Sequence, residues 1–233
     1  MSAHPHGNGH RPAGVAEATR IVLRPLGSPL PLGLLALVPA GVLLSLQQLE
    51  VLHTDDTTTI ATVIVTFVVP LQLVAMILSF LARDTVAGTA LGLFCGAWLL
   101  TGVAMLTAPP GTTSDAQGVF LLCVSAAFLV LVAGAAAGKA GPALVIVVGA
   151  TRFALTGLYE LTDDVGVRHA AAIVGLVLAC AALYSALATE IEDVHGEMKL
   201  PLGRRKLARS AIEAPFEDQL TRIEHEAGVR QQL

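Results

Sequence analysis

The sequence predicts an all-α integral membrane protein: six transmembrane helices in one compact bundle, with both termini cytoplasmic. Three observations predict it. Of the 233 residues, 54% are hydrophobic and only 14% charged, where a soluble domain carries roughly 25% charged residues. The charges are segregated, so that 57–82 contains no Asp, Glu, Lys or Arg while the two ends of the chain hold most of them. Apolar runs recur at 32–49, 57–82, 86–108, 118–138, 142–161 and 169–188. Each is close to the roughly 20 residues that a helix, rising about 1.5 Å per residue, needs to cross a hydrocarbon core about 30 Å thick. Continuous runs exclude the alternation of a membrane barrel, and a lipid-facing backbone must satisfy its own hydrogen bonds.

Residues 1–28 precede the first run and predict a flexible cytoplasmic tail, because MSAHPHGNGHRPAG mixes Gly, Pro, His and Asn without periodicity. The stretch is too long and polar to read as a signal peptide, so the first span is expected to stay. Pro39 and Pro70 fall inside spans one and two, where each removes a backbone hydrogen bond and bends the helix. Span three carries Gly88, Gly92 and Gly96 at every fourth position, and span four ends with Gly134 and Gly138. Such stripes let another helix approach closely, either within a protomer or between protomers. Spans one to six, 29–189, make one membrane transport domain, and 190–233 is a charged cytoplasmic tail interrupted by Pro201 and Pro215. Cys95, Cys123 and Cys180 lie within spans and lack CxxC spacing, so they read as small buried hydrophobes.

Orientation follows from the excess of Lys and Arg in cytoplasmic connections. Twelve of the 14 basic residues lie in the two tails or in the connections at Arg83 and Lys139. The opposite side has only Arg168, against Glu50, Asp55, Asp56, Asp115, Asp163 and Asp164. The fourteenth basic residue, Arg152, sits inside span five.

An arginine in mid-membrane costs at least about 2.5–3.5 kcal/mol on insertion scales and faces a bundle interior or a wet cavity. Arg152 therefore pairs either with a structural partner or with a carboxylate drawn into a pore. Glu160, eight residues on, lies about 80° around the helix and about 12 Å along it, beyond direct reach. Ser45, Gln47, Gln48, Gln72, Thr89 and Thr156 are candidate path-lining residues, whose amides and hydroxyls serve either a small anion or interhelical contacts. Glu160 and His169, clustered with Asp163 and Asp164 at the outer end of the last hairpin, are candidates for proton-linked steps. No Walker A run is present, and no nucleophile–base pair or metal cluster lies inside a span. The sequence thus points away from an enzyme, toward no metal and no cofactor, and shows no nucleic-acid footprint.

Ser28-Pro29-Leu30-Pro31-Leu32-Gly33 at the start of span one resembles the Asn-Pro-Ala-Pro-Leu-Gly signature of the acetate uptake transporter family, the succinate–acetate permeases. Gln72, Asp84-Thr85 with Thr89-Ala90, Trp98, His169, Gly175-Leu176, Tyr184, Glu190 and Leu200-Pro201-Leu202-Gly203 follow in the family's order, so the resemblance covers about 28–203. It implies six-helix protomers assembled as homohexamers, each with its own pore and an apolar constriction midway. Carried over by position, the constriction falls at Leu37, Phe94 and a third residue at Gly149 or Ala150, with Ser28 standing where the family has Asn. Arg152 has no counterpart in this resemblance and rests on physics alone.

Together these readings predict a multi-pass protein of the inner membrane: a channel or secondary transporter for acetate or a similar small monocarboxylate, with or without a proton. Two alternatives remain open, a passive channel for a small neutral solute and a pore-less sensor or scaffold acting through the C-terminal tail.

Overall fold

The computed structural model describes residues 27–135, 140–195 and 200–201. Six helices among them are long and apolar enough to cross a membrane. They are α1 (Leu30–Gln48), α2 (Thr54–Leu81), α3 (Thr85–Thr107), α4 (Asp115–Ala135), α5 (Ala140–Thr162) and α6 (Val165–His195). Short connections make successive helices antiparallel. Each packs on its neighbours in the chain and α6 returns to α1, so the six close a ring. Leu37, Phe94, Leu121, Phe128, Phe153 and Leu178 fill its buried centre. Large apolar side chains such as Phe67, Ile77, Val130 and Ile173 point outward, as a membrane-embedded surface requires.

The connections are closed by local chemistry. Glu50, Arg83 and Asp163 take left-handed backbone conformations just past the ends of α1, α2 and α5, the position where a helix turns off. Asp84 Oδ1 accepts from the Ala87 N–H at 3.0 Å and Asp164 Oδ1 from the Val167 N–H at 3.0 Å, so these acids cap α3 and α6. The second helix is not uniform: it opens with a 3₁₀ turn at Thr54–Asp56 and holds a π-helical stretch at Ile64–Val68 directly before Pro70. Proline has no N–H for the preceding turn, and the widened turn accommodates that break.

The last helix differs from expectation. It runs 31 residues, Val165–His195, and crosses the boundary at 189/190 drawn from hydropathy. Hydropathy reports where a helix stops being apolar, whereas Glu190 and Glu192, good helix formers, continue the helix beyond that point. Its end is tied down, with Asp193 Oδ2 accepting from the Ser28 N–H at 3.4 Å and the Tyr184 hydroxyl donating to the Pro201 carbonyl at 3.1 Å. His4, His6, His10, Gly138, and the tail residues 196–199 and 202–233 lie outside the described residues.

The glycine stripe of α3 serves two surfaces. A Cβ on Gly88 would stand 3.0 Å from the Phe80 ring and one on Gly92 would stand 2.9 Å from Met76 Sδ, both on α2. Gly96 meets nothing within 4 Å and opens on an apolar groove between α3 and α4 lined by Leu99, Val103 and Phe120. Gly134 lies near the end of α4. Gly88→Leu is therefore expected to destabilise the protomer by about 1–3 kcal/mol through overpacking against the Phe80 ring, while Gly96→Leu leaves its melting temperature unchanged. Thermal unfolding of both variants in detergent checks this, and equal shifts would contradict the assignment.

Candidate functional site

Three helix positions share one depth. Leu37 is seven residues from the start of α1, and Phe94 and Gly149 are nine from the starts of α3 and α5. At about 1.5 Å per residue these residues lie within a few ångströms of one level near mid-membrane. Leu37 and Phe94 are 1% and 2% exposed. At the third position Gly149 faces Phe94: a Cβ there would stand 2.5 Å from Phe94 Cζ. Ala150 is buried too, but its carbonyl is engaged with the Ser125 hydroxyl at 2.8 Å.

Phe94 belongs to an aromatic cluster. Its ring centroid lies 4.6 Å from Phe128 and 5.7 Å from Phe153, Phe128 and Phe153 stack at 5.8 Å, and Trp98 tilts against Phe153 at 5.5 Å. Tilted and offset rings at these separations attract beyond their buried area. The cluster fills the middle of the ring and separates its two ends.

A cavity of about 400 Å³ opens from the end of the bundle away from Ser28 and descends to this cluster, with Trp98, Leu121 and Phe153 at its base. Its wall mixes the two kinds of side chain: Gln47, Gln48, Thr57, Thr101, Arg152 and Thr156 face it beside Leu44, Leu52 and Met105. Gln47 Nε2 donates to Thr57 Oγ1 at 2.6 Å, joining α1 to α2, and the Thr156 hydroxyl donates to the Arg152 carbonyl at 2.9 Å. At the rim Arg168 pairs with Glu50. Glu160 accepts from the Ser114 N–H at 2.9 Å and from Gln117 Nε2 at 3.1 Å, which holds the α3–α4 loop against α5.

The structure thus brings Gln48, Arg152, Thr156 and Glu160 to one cavity, with Leu37 and Phe94 at mid-depth. The other candidates lie elsewhere. Ser28 sits at the opposite end of the bundle. Gln72 is fully buried between α1 and α2, where Nε2 reaches the Gly33 carbonyl at 3.5 Å. Thr89 is exposed on the outer side of α3, so its hydroxyl faces the surroundings and not the ring's interior. His169, half-buried near the start of α6, does not line the cavity, and its Nε2 has no hydrogen-bond partner. Glu160 is occupied as a loop clamp.

Sequence reasoning missed Phe128 and Phe153. Phe94 and Trp98, four residues apart on one helix face, carried a usable signal. The partners on α4 and α5 did not, since helix rotation is set by packing that spacing leaves open.

The sequence pattern of the GPR1/FUN34/yaaH family matches residues 13–201. No curated protein matches the chain. Among solved structures, that of the bacterial acetate channel SatP is similar, with a TM-score of 0.68 and 24% identity over 76% of this chain and 99% of that one.

Proposed function

The chain belongs to the GPR1/FUN34/yaaH family, the acetate uptake transporters, and on that premise we propose that it is a multi-pass cell-membrane channel or secondary transporter for acetate or similar small monocarboxylates. The observation that carries this reading is a cavity with polar and charged side chains on its wall, descending through a closed ring of six helices to an apolar, aromatic neck at mid-depth. A neck of this kind admits small solutes and gates by dewetting, so its width and polarity set conductance and selectivity. The acetate conducted by the similar bacterial channel has the size and charge that such a cavity accommodates. The reading places the cavity mouth on the outer face and both termini in the cytoplasm, with protomers assembled as a homohexamer. Transport runs on the gradient of the substrate or of protons.

Uptake of labelled acetate into proteoliposomes, measured at several pH values, tests it. Protein-dependent, saturable uptake is expected. Absence of protein-dependent acetate flux at every pH would overturn the reading in favour of a pore-less scaffold, and flux of acetamide without acetate would favour a neutral-solute channel.

A further inference from the structure

The cavity wall just outside the neck carries a positive charge with no counter-charge. Arg152 is 2% exposed, yet it lines the cavity and its Nη1 makes no hydrogen bond. The nearby acids are committed elsewhere, Glu160 to Ser114 and Gln117 and Glu50 to Arg168. Among the described residues no carboxylate forms an ion pair with Arg152. A second orphan lies beside it: Ser45 Oγ, wholly buried on α1, also lacks a partner. Both groups converge on Gly175 of α6, where a Cβ would stand 2.2 Å from Ser45 Oγ and 3.0 Å from Arg152 Nε. The lack of a side chain at Gly175 is what lets Ser45 Oγ and the Arg152 guanidinium lie so close to the α6 backbone.

Buried polar groups are almost always partnered, and a buried ion without its counterpart is strongly disfavoured. The unpartnered guanidinium nitrogen of Arg152, on a residue that lines the cavity, points to one missing group. That group must accept hydrogen bonds, because a guanidinium carries only donors. It must also bring a negative charge.

We propose that Arg152 forms a fixed subsite for a small monovalent anion, the ionised carboxylate of the permeating acid, on the cavity side of the aromatic neck. The identity of that anion rests on the transport reading above. The subsite selects the ionised form over the neutral acid, whose hydroxyl proton finds no acceptor from the guanidinium. It holds one charge at the entrance to the narrowest point, where an unpaired carboxylate would otherwise be most costly.

Trp98, the only tryptophan in the chain, forms part of the same cavity's base, so its fluorescence reports occupancy. The full-length protein in detergent is titrated near neutral pH with sodium acetate and, separately, with acetamide, its uncharged counterpart. Acetate is expected to give a saturable change and acetamide none. Hydrogen bonds to charged groups imply that Arg152→Gln weakens the acetate response roughly tenfold to a hundredfold, with Arg152→Lys intermediate.

Identical responses to acetate and acetamide in the unaltered protein, or no saturable acetate response at all, would overturn the subsite without relying on any variant's folding. So would a response of wild-type strength in Arg152→Gln. Acetate flux in liposomes without an Arg152-dependent fluorescence response would remove the subsite and leave the transport reading. An Arg152-dependent response without flux would do the reverse.

Discussion

Phe94→Ala is expected to raise acetate flux roughly tenfold or more at neutral pH, since each 1.4 kcal/mol or so removed from a barrier is about tenfold in rate, and to admit longer acids. The reason lies in what surrounds the ring. Phe94 packs against Phe128 at 4.6 Å and Phe153 at 5.7 Å, and across from it stands Gly149, which has no side chain to advance into the gap. Truncation therefore opens the middle of the ring next to Phe153, which itself lines the cavity. Removing a buried Phe also costs about 3–5 kcal/mol of stability where the site stays empty, so thermal unfolding should fall in parallel, by less if water enters. Phe94→Tyr keeps the ring and adds a hydroxyl, and is expected to sharpen chain-length discrimination with little effect on folding. Proteoliposome uptake of acetate against longer acids checks both variants. Wild-type flux and wild-type chain-length preference in Phe94→Ala would place the narrow point elsewhere in the bundle.

The membrane architecture was legible because the bilayer imposes a single length and polarity rule. Five of the six helices begin and end within a few residues of the apolar runs, and the exception, α6, extends where helix propensity outlasts hydropathy. The site was legible where a residue breaks that rule: Arg152 stands out because charge is costly in mid-membrane, and it does line the cavity. Small polar residues break no rule, and they scattered. Gln48 and Thr156 face the cavity, whereas Thr89 is exposed and Gln72 is buried against α1. Glycines were half legible. The spacing of Gly88 and Gly92 announces a packing face, but a contact between glycines on different helices leaves no periodic trace in either one.

The contact of that kind between Gly118 on α4 and Gly157 on α5 is where Gly157→Val should have its largest effect. A Cβ on Gly157 would stand 2.8 Å from the Gly118 carbonyl oxygen, 3.1 Å from Leu122 Cγ and 3.2 Å from Leu121 Cβ. A Cβ on Gly118 would in turn stand 2.9 Å from the Gly157 carbonyl oxygen. Met76, the neighbour of Gly92, can swing its flexible end away, but a backbone carbonyl inside a helix can move only if the helix moves. Valine at 157 must then push α4 and α5 apart, and overpacking of this kind costs about 1–3 kcal/mol, occasionally more. The displacement reaches the proposed path directly, because α5 carries Gly149, Arg152, Phe153 and Thr156 on the turns below position 157. Gly157→Val is thus expected to lower the melting temperature in detergent and to reduce acetate flux together. Gly96→Val, at a glycine with nothing within 4 Å, serves as the control of equal helix propensity and should preserve both. A Gly157→Val protein that melts and conducts like the wild type would mean that α4 and α5 separate at no cost, and the contact would then have no part in positioning α5 against the neck.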